Sequence, residues 1–259
     1  MLTTHITVLG RSILDLFFPR HCAACGCRLA LDEQYVCSQC MLSLPWERRY
    51  EWVYNWRTVI RDRHPVIQRM GALMRYDRQN GAAHIVRELK FHRHYELGAW
   101  MGRLAVKRLR MTGLFDGIDV LLPIPLTKAR LHTRGFNQSE KIAEGMAAEL
   151  GIDVCTDALR RIREIESQTH FTLDERWENA KDIFALTAKA WTLAGRHVMI
   201  VDDVMTTGRT MLSAIEELEK IPSIRLSTFA WAWIPALPQI YRPSSGGECT
   251  VRSSRSHRP

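Results

Sequence analysis

Residues 198–210 read Val-Met-Ile-Val-Asp-Asp-Val-Met-Thr-Thr-Gly-Arg-Thr, an apolar run that ends in paired carboxylates and passes into a turn rich in hydroxyls and glycine. Val198, Met199, Ile200 and Val201 predict a short strand buried on both faces, and Met211, Leu212, Ile215 and Leu218 recur at helical spacing beyond the turn. The unit is strand, loop, helix. Thr206, Thr207, Gly208 and Thr210 bring hydroxyls and backbone N–H groups to a helix N-terminus, where orphan donors and the helix dipole favour a phosphate dianion. Gly208 lets the backbone approach closely. At the carboxyl end of the strand, Asp202 and Asp203 offer acceptors to two vicinal ribose hydroxyls, one turn from that phosphate. Alone, an Asp-Asp pair is unremarkable and a Thr-Thr-Gly is a helix cap. In succession after an apolar strand they point to a sugar phosphate.

Near the other end, Cys22-Ala-Ala-Cys25 and Cys37-Ser-Gln-Cys40 form two C-x₂-C pairs separated by eleven residues. Each pair makes a tight knuckle presenting two thiolates, and two knuckles close a tetrahedron around Zn²⁺, so that a stretch too short to bury a core can fold. An iron–sulfur cluster on the same four thiolates is the minor alternative. Disulfides are the rival reading; with no secretory signal ahead of them, such pairs more often bind metal. Cys27 and His21 lie close enough to compete as ligands, although four cysteines already satisfy the metal. Cys155 and Cys249 stand alone.

A third motif lies between them. Asp119-Val-Leu-Leu-Pro-Ile-Pro-Leu126 is followed by Arg130 and then by Arg134-Gly-Phe-Asn-Gln138. Val120, Leu121 and Leu122 are strand-like and Pro-x-Pro stops the strand. Asn137 with Glu140 forms a capping box for a helix carrying Ile142, Ala143, Met146, Ala147 and Leu150, which Gly151 ends. Two strand–helix units thus turn their loops toward one cleft.

The 198–210 segment resembles the 5-phosphoribosyl 1-diphosphate (PRPP) motif of type I phosphoribosyltransferases. The resemblance implies that Asp202 and Asp203 hold the ribose 2′- and 3′-hydroxyls and that Met205, Thr206, Thr207, Gly208, Arg209 and Thr210 hold the 5-phosphate. It also implies that Pro123, Ile124, Pro125 and Leu126 grip pyrophosphate, with Arg130 and Arg134 adding charge and Mg²⁺ arriving with PRPP. The order of zinc ribbon, Leu89-Lys90-Phe91, Arg134-Gly-Phe-Asn-Gln138 and Asp-Asp-x-x-Thr-Thr-Gly looks like the ComF family, including ComFC and GntX-type proteins, over residues 13–234. Arg161, Arg163, Gln168, Leu173, Arg176, Asn179 and Phe184 match a further segment of that family, in phosphoribosyltransferases a mobile hood over PRPP. An ordinary exposed loop and helix has the same charged, weakly periodic composition. Two departures stand out: no further cysteine pair follows Cys40, where the chain is instead rich in Trp, Arg and Tyr, and Arg209 replaces a small residue. That arginine either assists the phosphate or points to solvent.

The expected fold is therefore α/β, a central mainly parallel sheet flanked by helices, with a small N-terminal zinc ribbon. Its 259 residues and 46% hydrophobic composition suit one medium core plus a metal-stapled appendage. The expected organisation is a short amphipathic helix over 1–20, the ribbon over 21–45, a linker over 46–72, a phosphoribosyltransferase-like domain over 73–240 and a disordered basic tail over 241–259. Packing on the main domain is the plain reading of the first helix and membrane contact its rival. No apolar run approaches the roughly 18 residues of a membrane span, so a soluble, cytoplasmic protein without stable membrane insertion is expected. Net charge is +8, of which the tail from Arg242 supplies +3. Arg87, Lys90, Arg93, Arg103, Lys107, Arg108 and Arg110 face only Glu88 and Glu96, which reads as a solvated helix face or a polyanion-binding surface. Two functions follow. One is transfer of a phosphoribosyl group from PRPP to an unidentified acceptor, as in nucleotide metabolism or salvage, with no DNA role. The other, which the ComF resemblance implies, is uptake or use of external DNA, with single-stranded DNA and DNA-import helicase machinery as partners.

Overall fold

The computed structural model describes residues 18–47, 63–91, 94–163 and 183–235. Expectations for the first helix, most of the Trp-, Arg- and Tyr-rich stretch after Cys40, Arg93, Gln168, Leu173, Arg176 and Asn179, and the basic tail lie outside the described residues.

Five strands form one all-parallel sheet in the order β1-β7-β6-β2-β3, where β1 is Ile67–Arg75, β2 Val120–Pro123, β3 Asp153–Val154, β6 His197–Met205 and β7 Arg225–Trp233. The first strand begins inside the stretch read as linker. Strands β4 (Leu159–Arg161) and β5 (Phe184–Leu186) pair as a separate antiparallel ribbon.

The period of two along β6 divides the core. Met199 and Val201 join Leu121, Phe229 and Trp231 on one face, while Val198 and Ile200 join Val120, Leu122 and Leu226 on the other. Four buried apolar residues in a row are what a strand covered on both faces requires. On the first face lie α2 (Gly81–Phe91), α3 (Tyr95–Leu109) and α5 (Gln138–Leu150); on the second lies α6 (Arg209–Leu218), through Met211, Ala214, Ile215 and Leu218. Chain order thus runs outward from β2 to β3 on one side and from β6 to β7 on the other. The switch point, where α/β folds open a crevice at the carboxyl ends of their strands, falls between β2 and β6.

Helix α5 is held close to α3 by glycines. A Cβ on Gly145 would lie 2.0 Å from the Ala99 carbonyl oxygen, and one on Gly102 would lie 2.0 Å from that of Ile142. The two helices therefore touch backbone to backbone, which fixes where the N-terminus of α5 meets the crevice.

The cysteine module packs against the first face. Cys22, Ala24, Leu29, Val36 and Leu44 share a core with Ala82, Ile85 and Leu97. Its helix α1 (Ser38–Ser43) leads into residues 44–47, which lie antiparallel along the outer edge of β1. The Glu47 N–H donates to Leu73 O at 2.9 Å and the Arg75 N–H to Pro45 O at 2.8 Å. The Glu47 carboxylate, 4% exposed, accepts the Trp233 indole N–H at 2.8 Å and Arg75 Nε at 3.2 Å. The sheet edge is covered by the exit from the module. Among the described residues no helix is long and apolar enough to cross a membrane.

Candidate functional site

Strand β2 stops first. Its pairing with β6 ends at Pro123 opposite Val201, and the Ile124 N–H makes a last bond to Val201 O at 2.9 Å, whereas β6 continues to Met205 against β7. Asp202 and Asp203 therefore sit inside β6, not past its end, on a stretch that β2 has left uncovered. The Asp203 N–H, two residues beyond Val201 and so on the same edge, donates to Asp202 Oδ1 at 2.9 Å. Asp203 Oδ1 accepts the Val204 N–H at 2.8 Å. Each carboxylate is pinned by the backbone that follows it.

Three helices deliver partners to this pair. From the last turn of α2, Lys90 Nζ reaches Asp203 Oδ2 at 2.6 Å, with 23% of the lysine and 13% of the aspartate side chain exposed. Ser139, in the first turn of α5, donates its hydroxyl to Asp202 Oδ1 at 3.1 Å. Arg134, at the end of α4 (Lys128–Arg134), donates to Gln138 Oε1 at 2.7 Å and adds positive potential near Asp203. Electrostatics separates the two acids. Burial, reinforced by the neighbouring Asp203 charge, pushes the Asp202 carboxyl up to about 7. Burial pushes Asp203 the same way, but Lys90 overcomes it and holds that carboxyl below its ordinary range.

The turn after β6 places Thr206 and Thr207 in the open and buries Gly208, whose φ of 73° is the left-handed region that glycine tolerates. Gly208 caps α6 without a side-chain bond and the first turn of α6 holds no acid, so neither a capping side chain nor a carboxylate competes there for the first N–H groups. Arg209 keeps its Nε and Nη2 out of contact with solvent.

Across the switch point, Pro123, Ile124, Pro125 and Leu126 turn from β2 into α4, a short helix that precedes the one expected from Asn137. Thr127 caps α4 by accepting the Arg130 N–H at 3.3 Å, and Gly135 ends it at φ 81°. Arg130 and Arg134 ride on this one helix. The loop is tied down by Asn137, whose Nδ2 donates to Ile124 O at 3.0 Å while its Oδ1 accepts the Ser139 N–H at 3.1 Å. The expected cap at Asn137 is present, but it is made to Ser139 and not to the third helical position.

Arg161 lies on β4 with its guanidinium 5.6 Å from the Phe184 ring centre, and Arg163 follows at the exposed end of the ribbon. The basic stretch 87–110 is largely spent on internal contacts. Besides Lys90, Arg87 donates to Ala83 O and Arg78 O, Arg108 stacks 4.2 Å from the Trp46 ring centre, Lys107 pairs with Glu149 at 3.5 Å and Arg110 donates to Glu149 O.

About the four cysteines, the Sγ atoms of Cys22, Cys25, Cys37 and Cys40 all lie within 4.8 Å of one another, with Cys25 and Cys37 at 3.9 Å. The Cys37 N–H donates to Cys22 Sγ at 3.3 Å and the Cys40 N–H to Cys37 Sγ at 3.5 Å, the knuckle pattern that favours thiolates. Cys27 and His21 are exposed and stand outside this group. The arrangement is a four-cysteine metal site.

The model of the phosphoribosyl transferase domain matches residues 137–230, from the cap of α5 into β7. Over 130 residues the chain is 34% identical to DNA utilization protein YhgH of Salmonella typhi, an alignment covering 49% of this chain and 56% of that protein. It is 26% identical over 140 residues to competence protein F of Haemophilus influenzae, covering 53% and 61%. The chain spans little more than half the length of these curated relatives. Among solved structures, an adenine phosphoribosyltransferase superimposes with a TM-score of 0.37 and 17% identity over 60% of this chain and 76% of that one. The protein thus carries a phosphoribosyltransferase domain behind a four-cysteine cluster and is homologous, over half its length, to YhgH and competence protein F.

Proposed function

We propose that the crevice between β2 and β6 binds PRPP, or a closely related phosphorylated ribose, and that the protein uses it in the handling of DNA. One observation carries the reading: two pinned carboxylates at the carboxyl end of β6 stand one turn from the uncapped N-terminus of α6, at the sheet's switch point. Asp202 and Asp203 take the ribose hydroxyls, and residues 205–210 take the 5-phosphate on backbone N–H groups and threonine hydroxyls. The Pro123–Leu126 turn with Arg130 and Arg134 takes the pyrophosphate. Mg²⁺ arriving with PRPP supplies neutralisation of the leaving pyrophosphate. Reaction at C1 would break its bond to pyrophosphate, which leaves with the electron pair, while an acceptor lone pair forms the new bond. The protein's share is to position the ribose and hold negative potential beside the cationic ring. By the ComF resemblance, the segment that begins with Arg161 and Arg163 is assigned to the hood.

The cysteine cluster takes zinc. A ZnS₄ tetrahedron with bonds of about 2.3 Å has edges of about 3.8 Å, and the 3.9 Å between Cys25 and Cys37 fits that edge. Its role is structural, since the module shares a core with α2 and α3. A part in DNA utilization or competence rests on the names of the two relatives; a cytoplasmic location and single-stranded DNA and import machinery as partners rest on the ComF resemblance.

Calorimetric titration of PRPP with Mg²⁺ into the metal-loaded protein tests the site, with an Asp202→Asn/Asp203→Asn double variant as control. Binding lost in the variant supports the ribose assignment. Equal binding in both would overturn it, and no binding to either, with salt-dependent single-stranded DNA binding retained, would leave the domain a DNA-binding scaffold.

A further inference from the structure

We infer that Ser139 is a positioning residue for the ribose site: it fixes the Asp202 carboxylate and couples it to the loop after β2. The inference deepens the phosphoribosyl reading and rests on it. Ser139 is 3% exposed, and its two polar groups make two different bonds. Its N–H goes to Asn137 Oδ1, and Asn137 in turn holds Ile124 O. Its hydroxyl goes to Asp202 Oδ1, which also accepts the Asp203 N–H. A continuous chain of three hydrogen bonds therefore runs from the Pro123–Leu126 turn, through one helical turn of α5, to the carboxylate on β6.

With both of these donors on Oδ1, Oδ2 is the oxygen of Asp202 left to meet a ribose hydroxyl. Rotation about χ2 away from this orientation would break both bonds, so the hydroxyl helps hold the plane of the carboxylate and the direction in which its second oxygen points. It also favours the ionised form that accepts two ribose donors, since a hydrogen bond to a carboxylate lowers its affinity for a proton. The charged groups around Asp202 are Asp203 on its own strand, which opposes ionisation, and Lys90 from α2, which favours it. Arg134 from α4 acts on Asp203. Ser139 is the hydroxyl in this set, and being uncharged it tunes the acid without competing for the ligand's phosphates.

Two readouts separate positioning from packing. The first is the titration of the Asp202 carboxyl carbon by NMR on ¹³C-aspartate-labelled protein, assigned by the Asp202→Asn variant. Ser139→Ala is expected to move the midpoint to higher pH, and Ser139→Thr, which keeps the hydroxyl, to restore it. The second is the dissociation constant of Mg²⁺-PRPP between pH 6 and 9. Affinity falls about tenfold for each pH unit below the carboxyl midpoint, so Ser139→Ala should bind less tightly than wild type throughout, with the gap smallest at pH 9 and widening toward pH 6. Titration of the ligand's own phosphates is common to both proteins and cancels. An unmoved midpoint in Ser139→Ala overturns the inference, as does an affinity loss equal at every pH. If the midpoint moves but neither protein binds PRPP, the phosphoribosyl reading fails while the coupling of Ser139 to Asp202 stands.

Discussion

Gly145→Ala is expected to destabilise the domain although it replaces the poorer helix former with the best one. The added Cβ would lie 2.0 Å from Ala99 O, 2.7 Å from Ala99 C and 2.8 Å from Ala99 Cα. All three atoms are backbone, so no side chain can swing aside, and α3 and α5 must part by about 1.5 Å to restore ordinary contact. Overpacking of this kind costs about 1–3 kcal/mol, and backbone against backbone places it near the top of that range. Helix propensity returns about 1 kcal/mol, which leaves a net loss of about 1–2 kcal/mol. For a domain of this size that lowers Tm by about 2–8 °C. Urea unfolding followed by circular dichroism measures it, as a lower midpoint at unchanged slope. Ala148→Gly, on the exposed side of the same helix, is the control and should lose about 1 kcal/mol through propensity alone. PRPP affinity should drop in Gly145→Ala and not in the control, because α5 carries Asn137 and Ser139 to the crevice. A Gly145→Ala protein as stable as wild type or more so would refute the view that contact between these backbones fixes α5.

Asp202→Asn should raise stability at pH 8 while weakening PRPP binding at least tenfold. A carboxyl raised to about 7 in the fold is ionised there at a cost that the unfolded chain, titrating near 4, does not bear. That penalty is absent below pH 4, grows up to about pH 7 and is constant above, so the gain in Tm should shrink toward pH 5; a gain independent of pH would contradict the assignment. Lys90→Met removes the cation that holds Asp203 low, so it should shift both carboxyl midpoints upward in NMR titration and weaken PRPP binding most at low pH. Cys37→Ser, or a chelator, should release the metal and open residues 21–45 to protease, as read by metal content and digestion. Glu47→Ala should speed hydrogen exchange at Glu47 and Arg75 by loosening the edge segment, with bound metal unchanged.

How much of this was legible in the sequence depends on the range of the interaction. Local patterns carried through: the apolar run 198–201, the period of α6, Gly151 at the end of α5 and both cysteine pairs have physical causes within a few residues of themselves. Strand ends did not carry through. The run was read as stopping before Asp202, yet β6 continues to Met205 because β7 supplies partners there, and only the structure shows that β2 has already turned away at Pro123. The basic stretch misled for a related reason. Counting charges along α2 and α3 suggested a surface, but Lys90 points inward to an acid more than a hundred residues away and Arg108 covers Trp46. Ser139 was missed because a serine in the first turn of a helix is ordinary, and its signal lies wholly in what faces it.

The early end of β2 explains why the site contains two unlike carboxylates. Had β2 matched β6 in length, the Asp203 N–H would have found a carbonyl on β2, and Asp202 would have had no backbone donor to fold onto. Because it does not, the side chain of Asp202 takes that donor, is drawn under the N-terminus of α5 and is desolvated there, while Asp203 turns to the face where Lys90 ends α2. Identical residues at adjacent positions thus acquire opposite shifts because Asp203 meets the Lys90 ammonium directly, whereas Asp202 is buried beside a hydroxyl and its neighbour's negative charge. A site of this form holds one acid ionised throughout the physiological range and a second whose ionisation is completed only when a ligand rewards it, so PRPP binding should take up the ligand and release a proton near pH 7. Calorimetry in buffers of different ionisation enthalpy would count that proton. Release of a substantial fraction of one proton per site in wild type, absent from Asp202→Asn, is the expected result; proton uptake on binding would contradict the placement of Asp202 against the ribose.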